Sequence, residues 1–401
     1  MAQRHLDPTD PAAGPADPVP ADALAGYLRA RATEFLRALR LHREAGAGAA
    51  ASEESVEAAR ALRRAARRIS AGLHTFQPVL DPDWSEALRP ELAWVCGTLA
   101  QEHACAARLD QLLLALHRLS GAAPFPAQAP APVRGAATAC RPAGGPEHSP
   151  GPAGTAALTT TPPRTDVLTS DADRAARPVP APDRGGLTVG AAKAGALLDR
   201  QLTLARTRAH STALQALGSS RFHGVADKVA LLASEVPLSP AADGADLRPQ
   251  ADAARERLAA AVAALPLLTA GSPYNAEALI HGLSPDPSPH PQDAPWHQVR
   301  LLLRLHRYAR EVLGTATDTG TGLRLRAAGE ALDRHRNASE AAAAAAQAAR
   351  TPRIAPATAY ALGVLHADQR HEVEAARYAF QHAWQKTAPG SRPADTGKPP
   401  A

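Results

Sequence analysis

Apolar residues recur at the three- and four-residue spacing of an amphipathic helix along most of this 401-residue chain. The core must be built mainly from Leu, Ala and Val, because aromatic residues make up only 3% of the sequence. Ala and Leu are strong helix formers, whereas the residues that favour strands are scarce outside the Pro-rich stretches. The spacing and the composition together predict an all-α protein.

The periodic segments predict eight helices, give or take one. They cover about residues 22–46, 52–77, 84–119, 190–235, 246–265, 296–313, 321–349 and 355–385. The fourth segment contains Gly218-Ser-Ser, at which the helix can break.

Three stretches lack this periodicity and predict disorder. Residues 121–184 consist largely of Pro, Ala, Gly and Thr, and residues 1–21 and 388–401 are similarly poor in large apolar side chains. Such segments cannot bury enough apolar surface to offset the entropy lost on ordering. A Pro-rich loop is also expected over residues 266–295.

Several classes of protein are disfavoured by the sequence. Cys96, Cys105 and Cys140 form neither an even set nor a CxxC motif, so we expect no disulfide framework and no cysteine-based metal ribbon. His366 and His371 lie five residues apart rather than four, and no P-loop motif occurs, so we expect no metal site and no cofactor. No run of 18 apolar residues predicts a membrane span, and the N-terminus lacks the pattern of a signal peptide. These features favour a cytoplasmic protein.

Arginine is strongly preferred over lysine. Of the 44 basic residues only four are Lys, and the formal net charge is +5. The guanidinium group holds phosphate oxygens in a planar fork, so the positions of the arginines matter more than their number.

Two predicted helices carry a stripe of basic residues. In the first, Arg60, Arg63, Arg67 and His74 share one helix face, and the segment from residue 60 to residue 68 holds five arginines and no acid. The remaining two of these arginines are Arg64 and Arg68.

The second stripe has the same spacing on a helix about 237 positions further along. It consists of His297, Arg300, Arg304 and Arg307, which indicates an internal duplication. One interpretation is that each stripe is an ordinary solvated face. The lack of intervening acids favours polyanion contacts instead, because like charges at these spacings repel until an anion binds.

The residues of the second stripe resemble the CHAD domain, the conserved histidine α-helical domain. Its motif positions are matched by His297, Arg300, Arg304, Arg307, Tyr308 and Glu311. The first half matches at Arg63, Arg67 and Arg68, in the turn Leu73, Phe76, Pro78 and Leu80, and in Glu91-Leu-Ala-Trp94. Ala361-Leu-Gly363 and Ala383-Trp384 are similar to the last helix of the family.

The chain also departs from the family pattern. Arg60 replaces the first signature histidine, and Leu301 and Leu305 replace basic residues of the second motif. The glycine and aspartate positions that follow the third helix of each half are also changed, at residues 100–104 and 333–337. The chain is therefore identified as a divergent member.

The resemblance implies two pseudo-symmetric four-helix bundles around a basic central pore. The first half would span residues 22–236, with residues 121–184 inserted, and the second half residues 245–387. It also implies non-catalytic binding of inorganic polyphosphate. The protein would then associate with polyphosphate granules, where other granule-associated proteins would be its partners. The predicted ligands are Arg60, Arg63, Arg64, Arg67, Arg68, His74, His297, Arg300, Arg304 and Arg307.

Two other functions stay open. A helical scaffold for protein–protein interaction that has lost its ligand would explain the missing motif residues. Nucleic-acid binding through the same arginines is disfavoured, because the stripes lack aromatic stacking platforms and a recognisable reading motif.

Overall fold

The computed structural model describes residues 18–46, 53–121, 184–267, 271, 290–315 and 320–385. These residues contain nine α-helices and no strand beyond two isolated bridges, so the all-α prediction is confirmed. The helices are α1 Ala21–Gly46, α2 Glu53–Thr75, α3 Pro82–Ser120, α4 Arg184–Leu217, α5 Ser220–Ser234, α6 Arg248–Ala263, α7 Ala294–Val312, α8 Gly320–Ala349 and α9 Pro356–Gln385.

The ends of the helices follow from local capping. The side chain of Asp81 accepts a hydrogen bond of 2.8 Å from the backbone N–H of Trp84 and so caps α3. Gly121 ends the same helix in the left-handed conformation, with φ of 65°. The hydroxyl of Ser219 caps α5, so the predicted break between α4 and α5 is confirmed.

The helices pack around three clusters of buried apolar residues. The first cluster joins α1, α2 and α5 to the N-terminal part of α3. The second joins the C-terminal part of α3 to α4, α8 and α9, and the third joins α6 and α7 to α8 and α9. In this packing α2 lies against α7, so the two helices that carry the basic stripes are neighbours.

Small residues bring α4 close to α9. Gly190 of α4 lies against the backbone carbonyl of Ala357, and a Cβ atom at this position would clash with it. By contrast, Gly363 of α9 has open space where a Cβ atom would lie. The close approach therefore depends on glycine at the first of these two positions.

Several predicted segments lie outside the residues that the structure describes. The predicted disorder of residues 1–17, 122–183 and 388–401 lies outside the described residues, as does most of the predicted loop at 266–295. The division into two pseudo-symmetric halves around a pore stays a prediction. Among the described helices, none has the length and apolar character needed to cross a membrane.

Candidate anion-binding site

Arginines from three helices meet where α2 contacts α7. Arg63 and Arg67 come from α2, Arg300 and Arg304 from α7, and Arg336 from α8. Arg67, Arg304 and Arg336 all lower the pKa of Arg63 electrostatically, which places the two stripes within range of each other. The packing has therefore combined the stripes into one basic cluster, which we define as these five arginines.

The cluster is partly withdrawn from water. The side chains of Arg300 and Arg304 are only 15% and 24% exposed. Burial, followed by repulsion from neighbouring arginines, lowers the pKa of both Arg63 and Arg300 to about 10. All of these groups stay charged at neutral pH, so the folded protein holds repelling cations together at a cost that a bound anion would relieve.

Carboxylates from another helix partly neutralise the cluster. Asp333 of α8 accepts hydrogen bonds from Arg300 and, at 3.0 Å, from Arg304. Glu340 accepts one of 2.7 Å from Arg336. The stripes hold no acids within their own segments, but the adjacent helix α8 supplies a partner for Arg300 and Arg304 of α7.

Other arginines of the stripes have no such partner. Among the described residues, no carboxylate lies within salt-bridge distance of Arg63, Arg67 or Arg307. Arg67 donates only to the backbone carbonyl of Arg63, at 3.3 Å, and the buried Nε of Arg63 has no hydrogen-bond partner in the described structure. The guanidinium groups of Arg63, Arg67 and Arg307 are therefore not held in ion pairs with described carboxylates, so an anion would not have to displace one.

His297 lies between the basic cluster and a buried network. Burial lowers its pKa, and although Asp293 opposes this shift, Arg300 and Arg336 add to it, so the imidazole is neutral at pH 7. Its ring lies 5.6 Å from the ring of His335, in a T-shaped arrangement. Neighbouring arginines disfavour the charged form, as the spacing of the stripe predicts, although burial is the larger cause.

The buried network anchors the start of α7 to α9. Asp293, immediately before α7, has no exposed surface and accepts hydrogen bonds of 2.7 Å from both Arg370 and Arg377. Burial alone would raise the pKa of this carboxyl, but hydrogen bonds from His335 and Arg370 hold it well below its usual range. Glu374 accepts a further hydrogen bond from Arg377, at 2.6 Å, so loss of any one partner would leave a buried charge unpaired where the stripe of α7 begins.

A cavity of about 390 Å³ opens beside the cluster, between α2, α3 and α7. The basic part of its wall consists of the charged Arg67, Arg89 and Arg304 together with His74. Arg89 donates to Nδ1 of His74 at 3.0 Å, and burial followed by the charge of Arg89 lowers the pKa of that histidine. The apolar part of the wall includes Leu301 and Leu305, the two positions at which the family carries basic residues.

The remaining predicted ligands occupy different surroundings. Arg60 and Arg64 are exposed and share Glu57, an acid of their own helix. Arg68 donates to Glu311 of α7 at 2.9 Å and lies over the ring of Tyr308, which ties α2 to α7. The guanidinium of Arg307 lies over Gly329 of α8.

Sequence reasoning missed three members of this environment. Arg336, Arg89 and Asp333 all lie on helices outside the two stripes. The sequence carries two weak signals for these residues. Asp333 and Arg336 lie in the altered family motif at residues 333–337, and Arg336 is four residues from Glu340, a spacing that is typical of a surface ion pair.

The arrangement of these arginines suits the recognition of an extended anion. Guanidinium donors from separate helices suit successive phosphate groups, whereas a single anion would contact only one or two of them. Among the residues that the structure describes, no group of three or more His, Cys, Asp or Glu side chains is arranged to hold a metal ion.

Comparison with known proteins identifies the family of the chain. The family description of the CHAD domain matches residues 30–346. The solved structure of PptA from Streptomyces chartreusis is 62% identical in sequence, covers 92% of this chain and all of its own, and superposes with a TM-score of 0.68.

A CHAD domain from the plant Ricinus communis is 16% identical, with 90% of this chain and 93% of its own covered, and a TM-score of 0.43. No curated protein matches the chain. The match of the family description extends over most of the sequence and includes both basic stripes. The chain therefore belongs to the CHAD domain family.

Proposed function

We propose that this protein binds inorganic polyphosphate and leaves it chemically unchanged. The observation that carries the proposal is the basic cluster, in which arginines of α2, α7 and α8 lie close enough to lower the pKa of Arg63 and of Arg300. Polyphosphate offers a regularly spaced line of anionic oxygens, which matches guanidinium donors distributed over several helices.

The availability of the donors differs across the cluster. Arg63 and Arg67 have no carboxylate partner among the described residues, so they bind phosphate without first giving up an ion pair. Arg300 and Arg304 must exchange Asp333 for phosphate. We infer that the two arginines of α2 make the larger net contribution to affinity.

The other predicted ligands lie around this centre. His74 and His297 border the cluster and are neutral before binding, and Arg307, beside Gly329, is proposed as a further contact of α7. Arg60 and Arg64 are exposed and would attract the anion over a longer range. Arg68 is engaged with Glu311, so its proposed role is to hold α2 against α7.

Binding of this kind would place the protein on polyphosphate granules in the cytoplasm, together with other granule-associated partners. Nucleic acid carries a similar backbone charge and is the natural competitor. Polyphosphate should displace a bound single-stranded oligonucleotide, whereas the oligonucleotide should not displace polyphosphate.

The test is a titration of labelled long-chain polyphosphate over a series of salt concentrations. We expect the Arg67→Gln/Arg304→Gln variant to bind at least tenfold more weakly, since each charge-assisted hydrogen bond contributes about 1.5 kcal/mol or more. Its salt dependence should also be shallower, by about 0.7–0.9 in the logarithmic slope for each phosphate that the variant no longer neutralises.

The matched control is Arg40→Gln/Arg255→Gln. Both arginines are exposed and pair only with acids of their own helices, so the control removes the same net charge outside the cluster. Equal affinities of the two double variants, with both folded by circular dichroism, would refute the proposal.

A further inference from the structure

The cavity beside the basic cluster has an apolar wall that polyphosphate cannot use. Leu301 is 52% exposed although its helix neighbours at positions 300 and 304 are partly buried arginines. Leu305 and Leu92 continue the same wall. An exposed leucine that faces a cavity gains free energy only from a ligand or partner that offers apolar surface of its own.

Cys96 adds a further uncharged side chain to the apolar wall of the cavity. Cys96 lines the cavity and directs its thiol towards the backbone carbonyl of Arg63, at 3.8 Å. Burial raises the pKa of this thiol, so the group stays neutral at physiological pH. No side-chain amide is among the described residues that line the cavity, and its uncharged polar groups include the hydroxyls of Ser70 and Tyr308.

The arginines in the basic part of the wall can bind a phosphate group. Arg67, Arg89 and Arg304 converge on the cavity, and no carboxylate is among its described lining residues. Because Arg89 donates to Nδ1 of His74, the proton of the neutral ring lies on Nε2, which leaves that atom as a further donor. The volume of about 390 Å³ lies in the range of small-molecule sites.

We propose that this cavity binds an organic phosphate monoester with an aliphatic body, the phosphate against Arg67, Arg89 and Arg304 and the body against Leu301 and Leu305. The inference shares Arg67 and Arg304 with the proposed polyphosphate site, so the two ligands would compete. It rests on the apolar wall, however, and that wall contributes nothing to polyphosphate binding.

The experiment is calorimetric titration with inorganic phosphate and with butyl, hexyl and octyl phosphate. We expect affinity to rise about two- to fourfold for each methylene group that enters the cavity, because burial of a methylene group favours binding by up to about 0.8 kcal/mol. Leu301→Ser should weaken this dependence on chain length without changing the affinity for polyphosphate, because Leu305 alone then remains of the two leucines proposed to contact the alkyl chain.

Leu114→Ser is the matched control, since Leu114 is an exposed leucine of α3 outside this cavity. It should leave the dependence on chain length intact. The inference fails if alkyl phosphates bind no more tightly than inorganic phosphate, or if Leu301→Ser retains the same chain-length dependence as the control.

The two proposals fail separately. Binding of octyl phosphate without binding of polyphosphate would refute only the proposed function. If polyphosphate binds, and the affinity for alkyl phosphates does not rise with chain length, only the proposal of the alkyl phosphate ligand is refuted.

Discussion

Asp333 competes with the ligand for the basic cluster, so its removal should strengthen polyphosphate binding. Its carboxylate accepts hydrogen bonds from Arg300 and Arg304 and is itself 52% exposed. Although burial works in the opposite direction, the two arginines hold the pKa of Asp333 below its ordinary value, so it is ionised at neutral pH. The change Asp333→Asn removes this charge and keeps the shape of the side chain.

The size of the effect follows from the two ion pairs. Each pair is partly exposed to water and contributes about 0.2–1 kcal/mol. Phosphate must replace both pairs in the wild type, so the variant should gain about 1 kcal/mol of binding free energy, which is roughly a fivefold lower Kd. The logarithmic salt dependence should become steeper, because more of the guanidinium charge is available to release counterions.

The assay is fluorescence anisotropy of labelled polyphosphate, with Glu330→Gln as the control. Glu330 is an exposed acid of the same helix, so its replacement makes the same change in net charge. A Kd for Asp333→Asn equal to or higher than that of Glu330→Gln would show the reasoning to be wrong. Circular dichroism must show that the variant is folded, since Asp333 also offsets repulsion between Arg300 and Arg304.

Three further predictions concern pH and packing. Burial lowers the pKa of His306 and of His335 to about 4, so the unfolded chain takes up protons first as the pH falls from 7 to 5. Stability should therefore fall by on the order of 2 kcal/mol for each histidine, measured by urea unfolding, and an unchanged midpoint would contradict this. Polyphosphate should raise the depressed pKa of His297, so the Kd should decrease as the pH falls below about 6.5, and this dependence should weaken in His297→Asn. Finally, Gly190→Ala should destabilise the fold by about 1–3 kcal/mol in thermal unfolding, whereas Gly363→Ala, with open space around it, should stabilise it by about 0.5–1 kcal/mol.

Much of the secondary structure could be predicted because helix formation is local. The bounds of α1, α8 and α9 lie within one residue of those expected from apolar spacing, and the break before α5 coincides with Ser219, which caps it. The apolar spacing places the start of α4 at about residue 190, whereas the helix begins at Arg184. Its first turns fall in a Gly- and Pro-rich context whose composition does not favour a helix.

The local sequence is sufficient to specify that this chain forms helices and that two of them carry arginines on one face, because both properties depend on residues three or four positions apart. The contacts that each arginine makes depend instead on the packing of distant segments. Arg68 pairs with Glu311 across 243 positions, whereas Arg67 keeps its donors available beside Leu301. These differences arise because the packing of α2 against α7 and α8 results from many small contacts distributed over the apolar clusters, and no short-range spacing encodes it.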